Sequence, residues 1–178
     1  KEWKVSPIAS QSATNPYAVE LSLAELEKLV TPRTRLVAFT ACSNVLGGFT
    51  PVQEAAALVK RKSQGNAWVA IDAVAFAPHK QVTPREWGVD FVFFSWYKIY
   101  SAHTASLYIS PRATRERKLL TKLNHHFLHG KEGTYPYQPS SQQYELIAAT
   151  ARVVEYLSWI GKAAAGSKGP EQVAWKEA

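Results

Sequence analysis

The chain alternates short apolar runs with stretches whose apolar residues recur at helical spacing. Residues 35–41 (RLVAFTA) are almost continuously apolar, and residues 67–72 and 90–95 are similar. Runs of this length and composition are typical of strands buried on both faces of a sheet. Residues 52–63, between the first two runs, have the spacing of an amphipathic helix. The alternation predicts an α/β domain with a mainly parallel sheet covered by helices on both faces.

Caps and spacing predict the remaining elements. Ser22, with Glu25 three residues later, has the pattern of a capping box, which predicts a helix over residues 22–30. The other predicted elements are a strand over residues 104–109 and helices over residues 113–124 and 142–160.

Length and charge limit the classes of protein to consider. A chain of 178 residues is long enough for one domain that buries about 70% of its unfolded surface. No apolar run approaches the roughly 18 residues that cross a bilayer, so no membrane association is expected. The net charge of +7 is spread along the chain, and its local clusters at residues 60–62 and 112–118 fall in predicted helices. We interpret these clusters as solvated helix faces rather than a nucleic-acid surface.

The cysteine content and the two ends of the chain add further expectations. Cys42 is the single cysteine, so no internal disulfide can form and a cytoplasmic location is expected. We predict that Cys42 is a small packed residue. Residue 1 is not Met, the chain contains no Met, and its last residues are small and polar. These features suggest a piece of a longer protein, or a chain with segments missing.

Polar residues follow three of the predicted strands at the point where each ends. They are Ser43 and Asn44 after the first strand, Asp72 at the end of the second, and Ser95 with Lys98 at the end of the third. The carboxyl ends of parallel strands form one edge of a sheet, where ligands bind. A lysine there must reach water, find a partner or lose its proton, and the last option would make it a nucleophile.

A carboxylate and a lysine on neighbouring strand ends suit a ligand with one basic nitrogen and one electrophilic carbon. Pyridoxal phosphate is such a ligand, because its aldehyde condenses with a lysine and its ring nitrogen needs a carboxylate. Asp72, Lys98 and Ser95 fit the ring, aldehyde and phosphate positions. The spacing alone favours the alternative, a structural ion pair between Asp72 and Lys98.

The sequences of several motifs resemble those of the class V pyridoxal-phosphate enzymes, in particular of a cysteine-desulfurase-like branch. The motifs occur in the family's order, and the resemblance runs from about residue 20 to residue 160. The motifs are SNVLGG (43–48), VAIDAVAFAPH (69–79), DFVFFSWYK (90–98), LYIS (107–110) and QYELIAATARVVEYL (143–157). The resemblance implies a three-layer fold type I enzyme. Residues 1–160 would be part of its large domain, and residues 161–178 a tail or the start of the C-terminal region. It also implies a homodimer.

The resemblance assigns roles to individual residues. Lys98 matches the lysine that forms the Schiff base and then moves the substrate's proton. Asp72 matches the partner of the ring nitrogen, Ser95 a phosphate ligand, and Asn44 an amide that faces cofactor and substrate. The implied function is chemistry on an amino acid, either desulfurase-like or a C–S or C–N lyase reaction.

Several positions depart from the family's pattern. Tyr97 stands where a histidine commonly precedes the lysine, so it would take over that contact with the cofactor. Ala75 replaces a Gln or His that touches the cofactor, and Ser101-Ala102 replaces a Gly-Pro turn. Ser140 and Ser141 occupy the position of a loop that reaches the neighbouring subunit's phosphate, and we include them as candidate ligands.

These departures keep an alternative open, in which the chain is a non-catalytic or truncated homologue that retains the fold. The family's upstream phosphate loop and its C-terminal domain have no counterpart in this sequence.

His79 is interpreted as structural, and His103 as structural or adjacent to the site. The histidines at 125, 126 and 129 have no thiol or carboxylate at ligand spacing, so no metal site is predicted.

Overall fold

A computed structural model of the chain describes residues 8–10, 19–115, 137 and 142–165. Two short strands, β1 (Ile8–Ser10) and β2 (Val19–Leu21), pair antiparallel in a small sheet of their own. The main sheet has four strands in the order β3 (Leu36–Thr40), β4 (Trp68–Asp72), β5 (Phe91–Ser95) and β6 (Ala105–Ile109). The first three run parallel, and β6 runs antiparallel to β5.

Helices follow the strands, as the alternating pattern predicts. They are α1 (Leu23–Leu29), α2 (Val52–Lys62), α3 (Pro84–Trp87), α4 (Pro111–Arg115) and α5 (Tyr144–Ala165). The cap of α1 is confirmed, because the backbone N–H of Glu25 donates to Ser22 Oγ at 3.2 Å. A short 3-10 helix (Trp96–Ile99) follows β5 directly.

One face of the main sheet forms the hydrophobic core. Val69, Ile71 and Val92 are fully buried, and they pack against the equally buried Ala55 and Val59 of α2. Successive residues of a strand point to opposite faces, so the buried positions of β4 alternate with half-buried ones. Complete burial of a Val or Ile side chain contributes roughly 1.5–3 kcal/mol, and the α2 contact therefore fixes which face of the sheet is the inner one.

The opposite face of the main sheet carries exposed apolar side chains. Leu36 is 42% exposed, Phe93 41% and Leu107 57%. The predicted α/β class and mainly parallel sheet are confirmed, and in the described part of the chain α1, α2 and α3 pack on one side of that sheet.

Helix α5 contacts the loop between β5 and β6. The hydroxyls of Thr104 and Thr150 form a hydrogen bond of 2.9 Å. The helix is continuous across residue 160 and ends at Ala165, and the division of the chain after residue 160 stays a prediction. Of the helices in the described ranges, none combines the length and apolarity that a membrane crossing requires.

Candidate functional site

The carboxyl ends of β4 and β5 place Asp72 and Ser95 on the same face of the sheet. Asp72 pairs in register with Phe93, and Ser95 lies two residues further along β5, so alternation directs both polar side chains to one side. This is the face that α2 leaves open, since the neighbouring Ile71 points to the core. Two of the predicted site residues therefore share one surface at one edge.

The Asp72 carboxylate is held by the turn that follows its strand. The backbone N–H of Val74 donates to Asp72 Oδ1 at 2.9 Å. The carbonyl oxygen of Asp72 accepts a hydrogen bond from the N–H of Ala41 at 2.8 Å, which joins the ends of β3 and β4. One carboxylate oxygen is thus fixed by the backbone, while the other has no hydrogen-bond partner in the described part of the chain.

Lys98 lies three residues beyond Ser95, in the 3-10 helix, and its side chain is exposed. Of the three options open to a lysine at a strand end, the structure shows the first, because the Lys98 side chain reaches water. Strand β5 ends at Ser95, and the 3-10 helix that follows carries Lys98 past the edge of the sheet, where its side chain reaches water. Among the described residues, neither a carboxylate nor a hydrogen-bond acceptor contacts it. An ion pair between Asp72 and Lys98, the structural alternative, does not form.

Tyr97 and His103 lie face to face beside Lys98. Their ring centroids are 4.0 Å apart and the ring planes are inclined by 22°. Tyr97 is 50% exposed, and His103 is also exposed. The sequence singles out both residues separately but gives no sign that they touch.

The loop after β3 presents Asn44 at its exposed tip. Ser43 Oγ accepts hydrogen bonds from the backbone N–H groups of Val45 at 3.3 Å and Leu46 at 3.1 Å, so Ser43 shapes the turn. Gly47 has φ 72°, a left-handed conformation that glycine adopts without steric cost. Asn44 is thus displayed at the same edge as Asp72. Ser140 and Ser141 lie outside the described residues.

Cys42 packs below this loop, as predicted. It is 3% exposed, and its Sγ lies 3.7 Å from the carbonyl oxygens of Ser43 and Gly47. Burial raises the pKa of the Cys42 thiol, and the charge of Lys80 acts in the opposite direction. The neutral thiol is therefore the form that the fold favours.

A buried ion pair that the sequence analysis did not predict lies at the opposite edge of the sheet. Arg112 Nη1 lies 3.1 Å from Asp90 Oδ1, and its guanidinium lies 4.0 Å above the ring of Trp68. Asp90 is 1% exposed. An aspartate at the start of an apolar strand was the available signal, because a carboxylate in that position needs a partner. This arginine therefore supports the sheet at the edge away from Lys98.

The polar groups at the carboxyl edge fit the chemistry of pyridoxal phosphate. Lys98 offers an exposed amine for an aldehyde, and Asp72 offers a carboxylate for a ring nitrogen. Among the residues that the structure describes, the hydroxyl of Ser101 is buried without a hydrogen-bond partner, and the Ser95 side chain makes no cap hydrogen bond. Buried polar groups normally have partners, so an unsatisfied hydroxyl three residues after Lys98 is compatible with a polar ligand at this edge. No set of three His, Cys, Asp or Glu side chains in the described ranges could hold a metal ion.

Comparison with known proteins identifies the relatives of this chain. The family model for aminotransferase class-V matches residues 12–167. The nonribosomal peptide synthetase-like enzyme fsqF of Aspergillus fumigatus is 37% identical over 142 residues, which are 79% of this chain and 9% of that protein. The cysteine desulfurase-like protein ustD of Aspergillus flavus is 33% identical over 137 residues, which are 77% of this chain and 30% of that protein. The chain thus spans less than a third of the length of either relative.

Two solved structures have the same fold. A NifS-like protein superposes with a TM-score of 0.66 at 26% identity, over 88% of this chain and 40% of that one. The cysteine desulfurase CsdA of Escherichia coli superposes with a TM-score of 0.65 at 20% identity, over 81% of this chain and 37% of that one. The likeness confirms the predicted fold type I architecture. The chain belongs to the aminotransferase class-V family.

Proposed function

We propose that this chain is part of a pyridoxal-phosphate-dependent enzyme that acts on an amino acid, by cysteine-desulfurase-like or C–S or C–N lyase chemistry. The observation that carries the proposal is the placement of Asp72 and Ser95 on one face of the sheet edge, with the exposed amine of Lys98 three residues beyond. Membership of the class V family supports the cofactor, and the cysteine desulfurase-like relative supports the reaction class.

Lys98 would bind the cofactor through Nζ. Its exposed position supports this role, since an amine that contacts no carboxylate is free to react with an aldehyde. After the substrate's amino group has displaced it, Nζ would take the proton from the substrate's Cα atom. The cofactor, when bound, supplies an electron sink for the charge that this proton leaves behind.

Asp72 would keep the cofactor's ring nitrogen protonated. Its Oδ1 accepts a hydrogen bond from Val74 N–H, which fixes the carboxylate in orientation and leaves Oδ2 for the ring. A carboxylate that is held in place before the ligand arrives loses little orientational freedom on binding, so its charge acts without reorganisation.

The remaining candidate residues would orient the cofactor and substrate. Ser95, and with it Ser140 and Ser141, would donate hydroxyls to the phosphate. Asn44 would face the cofactor and substrate from the loop after β3, and Tyr97 would contact the cofactor beside Lys98. We include in the proposal a homodimer, a cytoplasmic location and a small amino acid substrate.

A second candidate is a homologue that keeps the fold without cofactor chemistry. The Ser101-Ala102 pair favours it, because the turn after Lys98 lacks the Gly-Pro that the family has there. The apolar Ala75, near the Asp72 turn, offers no polar contact to a cofactor.

A reduction experiment separates the two candidates. The full chain is titrated with pyridoxal phosphate, its visible absorption is recorded, and the complex is reduced with borohydride and mapped by mass spectrometry. We expect a single phosphopyridoxyl adduct on Lys98, absent in Lys98→Arg and kept in Lys80→Arg, which changes another exposed lysine. No visible band, or label spread over surface lysines, would overturn the enzyme proposal and favour the second candidate.

A further inference from the structure

The antiparallel pairing of β5 with β6 continues beyond the last residues of the two strands. Ser95 is opposite Ala105, the backbone N–H of Trp96 donates to the carbonyl of Thr104 at 2.9 Å, and Tyr97 then faces His103. The aromatic pair therefore occupies the next position of the same register. Cross-strand aromatic pairs of this kind stabilise the pairing that brings them together.

The pair closes a loop of residues 98–102, of which Lys98 is the first. Within it, Tyr100 has φ 63°, a left-handed conformation that is costly for a residue with a Cβ. The backbone N–H of Ser101 donates to the carbonyl of Trp96 at 3.1 Å, so the far end of the loop is bonded to the residue that precedes Tyr97. A strained loop keeps one conformation only where its surroundings fix it, and the stack includes Tyr97, the residue next to Lys98 in the chain.

Ring contact, rather than hydrogen bonding, joins the two residues. In the described ranges, neither the Tyr97 hydroxyl nor a ring nitrogen of His103 makes a hydrogen bond. The rings are nearly parallel at 22°, so a flat side chain at position 103 is what the contact requires. A phenyl ring would preserve it, and a methyl group would not.

We propose that the Tyr97–His103 stack, here called the aromatic clamp, positions Lys98 for its reaction with the cofactor. His103 is a positioning residue: it acts on Lys98 through Tyr97 and holds the loop in which Nζ is presented. The inference rests on the proposed function of Lys98 and deepens it, because it assigns the orientation of the amine to a residue outside the predicted set of cofactor ligands.

The test measures two properties of the same variants. One is the rate at which pyridoxal phosphate forms the reducible adduct on Lys98. The other, which needs no cofactor, is hydrogen exchange of the Ser101 amide, which the bond to Trp96 protects. The variants are His103→Ala, which removes the ring, and His103→Phe, which keeps a flat ring. Ser106→Ala is the matched control, because it removes the 2.6 Å hydrogen bond from Trp96 Nε1 and loosens the hairpin without touching the clamp.

We expect His103→Ala to slow adduct formation and to speed exchange of the Ser101 amide, each by about three- to tenfold, as expected for the loss of one aromatic pair. His103→Phe should restore both properties, and Ser106→Ala should leave the adduct rate unchanged. Faster exchange with an unchanged adduct rate in His103→Ala would overturn the positioning role, and failure of His103→Phe to restore the rate would overturn the stacking argument. A wild-type chain that forms no adduct at Lys98 would instead overturn the proposed function itself, and the clamp's role with it.

Discussion

Arg112 binds Asp90 at the edge of the sheet opposite Lys98. The guanidinium nitrogen Nη1 lies 3.1 Å from both carboxylate oxygens. The carboxylate also accepts hydrogen bonds from the backbone N–H of Val69 at 3.0 Å and the hydroxyl of Ser110 at 3.2 Å. This network joins the starts of β4 and β5 to the end of β6, so a single charge pair holds three strands together.

Loss of Arg112 should therefore be costly. Arg112→Met leaves Asp90 buried without its cation, and we expect the free energy of unfolding to fall by about 3 kcal/mol in urea titrations. Arg61→Met is the control: its pair with Glu27 spans 3.6 Å and its side chain is 65% exposed, so the loss should stay below about 1 kcal/mol. Equal losses in the two variants would contradict a structural role for the Arg112 pair.

Cys42 should react slowly with thiol reagents in the folded chain. Burial raises the pKa of its thiol, so little thiolate is present near pH 7, and the labelling rate should climb as the pH passes above the ordinary value of 9.0. Because the folded pKa is raised, the stabilisation from this group is present below the unfolded pKa and is lost as the pH rises through the folded one. The measurement is the rate of dithiobis-nitrobenzoate reduction against pH, with and without urea.

Lys80 provides a control for that rate. Its charge lowers the pKa of Cys42, so Lys80→Gln should slow labelling further at a given pH, whereas Lys28→Gln, which removes an exposed lysine paired with Glu25, should leave the rate unchanged. Rapid labelling of the native wild-type chain at neutral pH would show that the thiol is accessible, contrary to its 3% exposure.

Tyr100 and Gln64 should both tolerate glycine. Their φ angles are 63° and 55°, where a Cβ costs about 1–2 kcal/mol and glycine costs less. After allowing for the greater freedom of glycine in the unfolded chain, we expect Tyr100→Gly and Gln64→Gly each to raise stability by about 0.5–1 kcal/mol. Thermal and urea unfolding measure this. Because Gln64 lies away from the candidate site, a loss at Tyr100 alone would mean that its side chain makes contacts that outweigh the strain.

The hydroxyls of Thr104 and Thr150 should be energetically coupled. Thr104→Val and Thr150→Val each remove one side of their 2.9 Å hydrogen bond, and a double-mutant cycle should give a coupling of about 1 kcal/mol. Urea unfolding of the wild type, both single variants and the double variant supplies the four values. A coupling near zero would mean that α5 is held against the β5–β6 loop by other contacts.

Asp72→Asn should separate cofactor binding from catalysis. The asparagine oxygen can still accept the hydrogen bond from Val74, so the turn is kept while the charge is lost. We expect the adduct at Lys98 still to form. The exchange of the Cα proton of L-cysteine or L-alanine with solvent should slow by about 100-fold, and NMR in deuterated water measures this rate. Glu86→Gln, an exposed carboxylate on α3, is the control. Equal exchange rates in Asp72→Asn and the wild type would remove Asp72 from the mechanism.

The sequence pattern was sufficient for much of the main sheet. The apolar runs at 35–41, 67–72 and 90–95 each contain the strand found there, and Ser22 caps α1 as its spacing predicts. The direction of β6 was not anticipated, because alternation of side chains is the same in parallel and antiparallel strands. The short connection between β5 and β6 was the available signal, since a parallel neighbour needs a crossover of a dozen or more residues.

The site was predicted less completely than the fold. Asp72 and Ser95 could be placed together because strand ends meet at one edge and alternation fixes the face. The exposure of Lys98 could not be predicted from the sequence, because it depends on where the 3-10 helix turns away from the sheet. The Tyr97–His103 contact depends on the register across the hairpin, which no property of the two residues alone determines.

Strand β6 contributes none of the candidate site residues, yet its antiparallel pairing with β5 supports the loop that carries Lys98. Every pair from Phe91–Ile109 to Ser95–Ala105 follows one register, and the register continues to the rings beside Lys98. A slip of one residue anywhere along β6 would turn His103 to the other face and release the amine's support. The orientation of the lysine therefore depends on the register of a neighbouring strand, and a change that shifts this register would act on the site from a distance.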